Sequence, residues 1–283
     1  MSQEELVVYK RMPVWQHDTV PGGFLKRHNT KEGTWAQLKI LRGSLQFALM
    51  DEHGNVTAEA TYDTEHQPPR IEPQAWHQIV SMSPDIQCQL DFLCRPADYF
   101  TKKYDMTATH SEVVEAAEQV PVGRALDIGC GGGRNALFLA RRGFAVDAWD
   151  WNGGSLANLQ HIADAEGLKD IRLAEVDLNQ VESLEFDGPY QFILSTVVLM
   201  FLHPAVIAPL MTRMQQETAP GGYNLIVSAM DTEDFPCPMS FPFKFSEGEL
   251  REYYKDWELV EYKEELGSMH AKDEFGNPIQ FKF

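Results

Sequence analysis

RALDIGCGGGRN, residues 124–135, carries the strongest signal in this sequence of 283 residues. A short apolar run ends at Asp127, glycines follow at positions 129 and 131–133, and a helical pattern begins at about Asn135. Glycine permits positive φ and a close backbone approach to a ligand, and the free N–H groups of a new helix attract polar or anionic groups. The segment therefore predicts a strand, a glycine turn and a helix start that bind a nucleotide-like cofactor.

Two types of cofactor are compatible with such a turn. A dinucleotide fingerprint needs a third glycine three residues after the second, and counting from Gly129 and Gly131 this place holds Arg134. Asp127, Gly129 and Gly131 match instead the Asp-x-Gly-x-Gly spacing of class I S-adenosylmethionine (SAM) methyltransferases. The spacing favours SAM over a dinucleotide, although a purely structural turn stays open on this segment alone.

Strand and helix patterns alternate along the chain around and after the glycine turn. The predicted strands are 124–128, 144–150, 171–176, 190–195 and 222–230, and the predicted helices between them are 135–142, 154–165 and 205–217. Such alternation is typical of a parallel sheet with right-handed crossovers. The ligand of such a sheet lies at the carboxyl ends of the strands.

Polar residues stand at several of these predicted strand ends. Asp150 follows the second strand, where its carboxylate can accept the ribose hydroxyl protons of a cofactor. Asp177, after the third strand, is predicted to bind the adenine amino group, with Leu178 beside the ring. Thr196 ends the fourth strand beneath the cofactor. Polar residues at three strand ends favour an enzyme over a structural turn.

The first ninety-odd residues have a different character. Short β-rich runs separated by turn residues predict an antiparallel β-sandwich or small barrel. His28, Glu32 and His77 stand where a cupin-like barrel places its metal ligands, but Thr30 replaces the second histidine of the usual His-x-His pair. We therefore predict an accessory or oligomerisation module without a metal.

A proline and a change of pattern mark the predicted junction, giving domains at 1–95 and 98–283. Lys103 and Tyr104 follow the junction and are candidates for a lid over the ligand. A capping box at Thr109-x-x-Glu112 then predicts that a helix starts near His110.

The C-terminal part predicts the end of the sheet. A second capping box, Ser246-x-x-Glu249, predicts a helix to about Tyr254. A strand near 258–262, a polar loop with His270 and Lys272, and a closing strand predict an antiparallel ending.

Composition excludes several classes of partner. The net charge of −18 argues against nucleic acid or an anionic membrane, because phosphate contacts need clustered Lys and Arg. The longest apolar run, 193–202, is too short to span a bilayer. Four cysteines without a C-x-x-C pair favour a reducing, cytoplasmic location.

The chain closely resembles the tellurite-resistance SAM-dependent methyltransferases over about residues 98–283. The resemblance rests on YFTKKYDMTATHSEV, LDIGCGGGRN, DAWDWN, VDLN, ILSTVVLMFL, PGGYNLIVSAMDT and FPFKFSEGEL. It implies a class I, Rossmann-like α/β sheet, parallel with one antiparallel strand, preceded by the all-β cupin-like domain that some members carry. Gln191 departs from the Asp that is usual at its position, at the end of the strand away from the predicted site.

The resemblance implies methyl transfer from SAM to tellurium and selenium oxyanions or related small soft nucleophiles. The residues that we expect to bind SAM are Lys103, Tyr104, His110, Asp127, Gly129, Gly131, Arg134, Asp150, Asp177, Leu178 and Thr196. Arg251, His270 and Lys272 are the cations expected to serve the acceptor, and Phe241 and Phe243 are expected to shield the sulfonium.

Three functional hypotheses follow from the sequence. The first is a small-molecule methyltransferase, with a homo-oligomer possible through the N-terminal domain. The second is a SAM-binding sensor that detects an oxyanion or metal without methyl transfer. The third, an NAD-dependent oxidoreductase, is disfavoured by Arg134 at the third-glycine position.

Overall fold

The computed structural model describes the backbone of residues 5–272 and 275–283 and the side chains of residues 5–268 and 275–283. Contacts divide the chain into two compact units, residues 1–108 and 109–283. The first unit includes a short helix, α1 (Tyr99–Tyr104), which packs against the first strand. The domain bounds of 1–95 and 98–283 stay a prediction.

The first unit is built from two antiparallel sheets. Its strands are β1 (Val7–Arg11), β2 (Trp15–Gln16), β3 (Trp35–Arg42), β4 (Leu45–Met50), β5 (Val56–Tyr62), β6 (Trp76–Met82) and β7 (Gln87–Cys94). In one sheet β7 pairs with β1, β2 and β3, and in the other β4 pairs with β5 and β6. Buried side chains such as Leu38, Phe47 and Ile86 form its core. The predicted all-β N-terminal architecture is confirmed.

The second unit contains one parallel sheet flanked by helices. Its elements are α2 (Ser111–Gln119), β8 (Arg124–Ile128), α3 (Arg134–Arg141), β9 (Ala145–Asp150), α4 (Gly153–Glu166), β10 (Ile171–Glu175), β11 (Tyr190–Thr196), α5 (Pro204–Glu217), β12 (Thr218–Val227), α6 (Glu249–Tyr253), β13 (Leu266–Lys272) and β14 (Pro278–Lys282). The sheet order is β10-β9-β8-β11-β12, and all four pairings are parallel. The strand order therefore reverses between β8 and β11, and ligands of such sheets bind at this point.

The central strands are apolar on both faces because helices cover both sides of the sheet. Leu126 and Ile128 on β8, and Phe192 and Leu194 on β11, are fully buried. The antiparallel pairing of the C-terminal part occurs in a separate two-stranded sheet, β13 with β14. The class I fold predicted from the sequence is confirmed.

The predicted strand at 258–262 is wrong. This segment is irregular, and Leu259 and Val260 on it are 42% and 58% exposed. A groove of about 630 Å³ is lined by the segment on one side and by β12 on the other. Among the described residues no strand pairs with this segment, so the alternating pattern of ELVEY forms no ladder.

No helix within the described residues has the length and apolar character needed to cross a membrane. All four cysteines are free thiols and buried.

Candidate cofactor site

The glycine turn leaves an open face above its centre. Gly129, Gly131 and Gly133 all have positive φ, at 71°, 54° and 85°. A Cβ at Gly129 would lie 2.4 Å from Val198 Cγ2, and one at Gly133 would lie 2.4 Å from Leu159 Cδ1. A Cβ at Gly131 would meet no atom of the chain within 4 Å. The outer glycines are therefore required by packing, while the middle one borders space for a ligand.

Asp127, at the end of β8, is a buried carboxylate whose charge is only partly offset, by the Arg134 charge and by the Ala136 N–H, which lies outside normal hydrogen-bond geometry. Asp127 is only 1% exposed, and neither carboxylate oxygen has a hydrogen-bond partner of normal geometry among the described residues. Burial raises the pKa of Asp127 to about 7, against the opposing effect of the Arg134 charge. A buried carboxylate of this kind is costly unless a cation or donor pairs with it. The geometry therefore fits a ligand ammonium group beside the glycine turn.

Asp150, at the end of β9, is fixed by the backbone around it. One carboxylate oxygen accepts the Gly131 N–H at 2.8 Å, and the other accepts the Asn152 N–H at 2.9 Å. Each oxygen retains a lone pair for a further donor. The adjoining Trp151 is 74% exposed. Asp150 and Trp151 therefore offer hydroxyl-binding oxygens and an aromatic face at neighbouring positions.

A buried chain of hydrogen bonds joins α2, α3 and β11. The Asn135 side chain donates to Thr196 Oγ1 at 2.9 Å and accepts the His110 backbone N–H at 3.1 Å. His110 is also the N-cap of α2, where its Nδ1 accepts the Glu112 N–H at 3.3 Å. Burial, followed by the Arg134 charge, lowers the pKa of His110. Three predicted site residues, His110, Arg134 and Thr196, are thereby brought together.

Asp177 and Leu178 follow β10 with different degrees of exposure. Asp177 is exposed and accepts the Asn179 N–H at 3.0 Å and the Gln180 amide at 3.1 Å, and these bonds lower its pKa. Leu178 is 6% exposed and packs in the main core cluster of the sheet. Their contact with adenine stays a prediction.

Cys130 lies in the glycine turn but is not suited to nucleophilic chemistry. It is 7% exposed, and burial followed by the charges of Asp127 and Asp150 raises the pKa of its thiol. A thiol held in its protonated form is a weak nucleophile. The prediction that Cys130 is a packing residue agrees with this environment.

An aromatic and sulfur-containing cluster follows the end of β11. We use the name β11 cluster for the group formed by Val197, Met200, Phe201, Phe241 and Phe281. Phe241 packs edge-on against Phe201 and Phe281, with ring centroids 5.3 and 5.7 Å apart. Val197 has a φ of 61°, which is a strained conformation for a β-branched residue. Such strain is concentrated at functional sites. The same segment lies against the glycine turn, because the side chain of Val198 covers Gly129.

Of the three cations predicted for the acceptor, Arg251 is the one whose side chain lies among the described residues. Arg251 on α6 lies over the Tyr262 ring, with its guanidinium carbon 4.4 Å from the ring centroid, and its part in binding the acceptor stays a prediction. The side chains of His270 and Lys272 lie outside the described residues. Phe243, predicted with Phe241 to shield the sulfonium, packs instead edge-on against Phe245 at 4.7 Å.

Lys103 and Tyr104 belong to the first unit. There the Lys103 ammonium donates to Tyr99 Oη at 2.8 Å and lies 5.6 Å from the Tyr104 ring centroid. Their part in the cofactor site stays a prediction.

Sequence reasoning missed two residues of this site. The sequence predicts only a helix start at Asn135, whereas its amide also links β11 to the start of α2. Trp151 was missed because an exposed aromatic is recognised only from the structure. Its position directly after Asp150 was the available signal.

The residues present fit SAM on three observations. The open face at Gly131 admits a ligand against the backbone, the unpartnered Asp127 oxygens suit the methionine ammonium, and Asp150 suits the ribose hydroxyls. Positive charge from Arg134 near Asp127 suits the methionine carboxylate.

Comparison with known proteins gives matches over nearly the whole chain. The family model of tellurite resistance protein TehB matches residues 92–283, and that of the TehB-like domain matches residues 10–90. A probable S-adenosyl-L-methionine-dependent methyltransferase TehB of Haemophilus influenzae is 47% identical over 281 residues, which are 99% of this chain and 97% of the relative. Hemagglutinin 1 of Eikenella corrodens is 44% identical over 245 residues, 87% of this chain and 80% of the relative.

A solved structure agrees with the fold described above. The crystal structure of TehB from Haemophilus influenzae has a TM-score of 0.94 at 46% identity and covers 98% of this chain and 96% of its own.

Proposed function

Because the chain belongs to the TehB family of tellurite resistance proteins, we propose that its methyl acceptors are oxyanions of tellurium and selenium. The chain is a SAM-dependent methyltransferase, as its family and its relative of 47% identity show. The family match carries the proposal of the acceptor. The observation that supports SAM at this site is the buried carboxylate of Asp127 beside the open face of the glycine turn.

Each half of the cofactor has a set of residues suited to hold it. Asp127 accepts the methionine ammonium, with Arg134 toward the methionine carboxylate. Asp150 holds the ribose hydroxyls, and Trp151 offers a stacking surface for adenine. When bound, SAM supplies a sulfonium methyl group whose carbon a lone pair can attack in line with the C–S bond. The hydrogen bonds through Asn135 fix Thr196 and His110 around this site.

The chemistry of the β11 cluster supports an acceptor that needs no deprotonation. Its members, Val197, Met200, Phe201, Phe241 and Phe281, carry no group that could remove a proton. A tellurium(IV) or selenium(IV) oxyanion attacks through the chalcogen lone pair, which forms the bond to carbon while the C–S electron pair leaves with sulfur. Catalysis then depends on proximity, alignment and exclusion of water, which can lower a barrier by several kcal/mol.

Transfer of labelled methyl from SAM to tellurite or selenite in a single turnover tests this proposal. We expect an anionic, singly methylated chalcogen oxyacid that carries the label, formed at a rate that depends on both reactants. Tight SAM binding without transfer to either oxyanion would refute the acceptor and favour the SAM-binding sensor. Preference for NAD over SAM in a thermal-shift assay would refute the site assignment, because a ligand that binds the native state raises its stability.

We also propose a cytoplasmic location, which the four free cysteines support because thiols persist in reducing compartments. Association of copies through the first unit is a further proposal, and sedimentation of the purified chain tests it.

A further inference from the structure

The first unit encloses a cavity of about 460 Å³ that the methyl-transfer reaction does not use. Its walls are mainly aromatic and aliphatic and include Trp15, Phe24, Phe47, Ile71, Ile79 and Phe92. Cavities of this size and composition hold small organic ligands, which a few convergent polar groups orient. All of the lining residues lie between positions 9 and 102, within a single unit.

Two histidines supply such polar groups. His28 and His77 face each other across a pair of backbone hydrogen bonds of 3.0 and 2.9 Å, and their ring centroids are 4.1 Å apart. Nδ1 of His28 lies 2.8 Å from the Lys26 carbonyl oxygen, and Nδ1 of His77 lies 2.8 Å from that of Ala75. A carbonyl only accepts, so each Nδ1 carries the proton and each Nε2 of the neutral ring presents a lone pair.

The remaining Nε2 atoms are available to a ligand. His28 Nε2 is buried and has no hydrogen-bond partner among the described residues. Burial lowers the pKa of His77 to about 4, so its ring is neutral at neutral pH. A buried acceptor without a donor is costly. A ligand hydroxyl or N–H group inside the cavity would satisfy it.

The charge of the lining points to an anion. The residues around the cavity include Lys10, Lys31 and Lys102 but neither Asp nor Glu, although the chain as a whole has a net charge of −18. Lys10 and Lys31 are exposed, which places positive charge at the mouth, whereas His77 is buried. An anionic group at the mouth and an apolar body inside would match this distribution.

A metal ion and a small oxyanion fit the cavity less well. Glu32, which completes the three possible ligands considered from the sequence, does not line the cavity, and its backbone carbonyl accepts the Lys102 ammonium at 2.6 Å. No group of three potential metal ligands that includes either histidine is found in the described part of the chain. A selenite-sized anion would leave most of the apolar volume unfilled.

We propose that this cavity binds a planar aromatic acid with a ring hydroxyl. The ring lies between the aromatic walls, the hydroxyl donates to Nε2 of His28, and the carboxylate lies at Lys10 and Lys31. The first unit is thus a second ligand-binding module, separate from the SAM site.

Calorimetric titration of the full-length protein with 4-hydroxybenzoate, benzoate and phenol tests each contact. We expect saturable binding of 4-hydroxybenzoate, and weakening by about fivefold to tenfold when either the hydroxyl or the carboxylate is absent. His28→Phe should weaken 4-hydroxybenzoate by a similar factor and leave benzoate unchanged. Lys10→Glu combined with Lys31→Glu should weaken both acids and leave phenol unchanged.

Matched controls are available on exposed positions. His53, with a side chain 76% exposed, and Lys169 in the second unit do not line the cavity, so His53→Phe and Lys169→Glu should change no affinity. SAM affinity and thermal unfolding confirm that each variant is folded.

Several results would overturn the proposal. The wild-type series is decisive even where a variant fails to fold: absence of binding by all three aromatic probes, or equal affinity for 4-hydroxybenzoate and benzoate, contradicts it. Binding of zinc or selenite that is lost in His28→Phe, without binding of 4-hydroxybenzoate, would assign the cavity to a metal or an oxyanion instead.

Discussion

Replacing Asp127 with Asn is the most informative change in the cofactor site. The carboxylate is 1% exposed and has no hydrogen-bond partner among the described residues, and burial raises its pKa from 3.8 to about 7. That difference corresponds to about 4 kcal/mol against the ionised form. Asn preserves the shape of the side chain but carries no charge, so it separates the electrostatic contribution from packing.

The sign of the pH dependence follows from the raised pKa. Between about pH 4 and 7 the folded protein binds a proton at Asp127 that the unfolded chain does not, so the free energy of unfolding falls as pH rises through this window. The Asp127→Asn substitution removes this fall in the free energy of unfolding. Above pH 7 the ligand-free variant should therefore be more stable than the wild type, by on the order of 2–4 kcal/mol.

SAM affinity should depend on pH in the opposite direction. The methionine ammonium pairs with the ionised carboxylate, so binding below pH 7 must release the Asp127 proton. We expect the affinity to rise by up to about tenfold per pH unit from pH 5 to 7. The variant should bind about 100-fold more weakly at pH 7 and show little dependence on pH, because an uncompensated charge interaction of about 3 kcal/mol is lost.

Calorimetry in two buffers of different ionisation enthalpy measures both affinity and proton release. Asp147 on β9 is the control, since it is also buried, at 7% exposed, but accepts hydrogen bonds from Arg172 Nε at 2.6 Å, Tyr190 Oη at 2.8 Å and Arg124 Nη2 at 3.0 Å. Burial acts to raise the pKa of Asp147, but these bonds outweigh it and lower the pKa. Its stabilisation is present above pH 4 and is lost as pH falls below that value.

Asp147→Asn should therefore destabilise the protein at neutral pH by about 1–3 kcal/mol and leave SAM affinity unchanged. A SAM affinity that is flat from pH 5 to 7, or an Asp127→Asn variant that binds SAM like the wild type, would refute the assignment of the ammonium to Asp127.

Two further predictions concern the glycine turn and the exposed tryptophan. Gly131→Ala should keep the fold, at a cost of about 1–2 kcal/mol for its φ of 54°, and should impair SAM binding. Gly129→Ala should instead lower the melting temperature strongly, because its Cβ would lie 2.4 Å from the stiff side chain of Val198. Normal SAM affinity in Gly131→Ala would contradict the open-face assignment. Trp151→Ala should weaken the binding of SAM and of adenosine by about tenfold, as expected for loss of aromatic stacking on a base. Asp127→Asn should leave the affinity for adenosine unchanged. An unchanged adenosine affinity in Trp151→Ala would exclude stacking at this residue.

The fold was predictable because its signals are local and repeated. The apolar run before Asp127 and the glycines after it indicate a strand and a turn without reference to the rest of the chain. Asp150 could likewise be placed by counting, since parallel strands bring their carboxyl ends to one edge of the sheet.

Features that depend on contacts distant in sequence were not predictable. The alternation in residues 258–262 predicts a strand, but a strand also requires a partner at hydrogen-bonding distance, and a groove separates this segment from β12. The arrangement of His28, Glu32 and His77 likewise depends on contacts distant in sequence. Backbone pairing joins the two histidines, while Glu32 stays outside the cavity they line.

We propose that cofactor and acceptor specificity lie on different parts of the fold, and the position of Val198 supports this division. The strand order reverses between β8 and β11, so the turn after β8 and the segment after β11 meet, and Val198 fills the space at Gly129. The turn binds mainly through backbone geometry, which constrains it to one kind of ligand. The segment after β11 presents side chains instead, held by the bond from Val197 N–H to the Val227 carbonyl at 2.7 Å in spite of its strained φ. Changes among the β11 cluster should therefore alter the acceptor without loss of SAM binding.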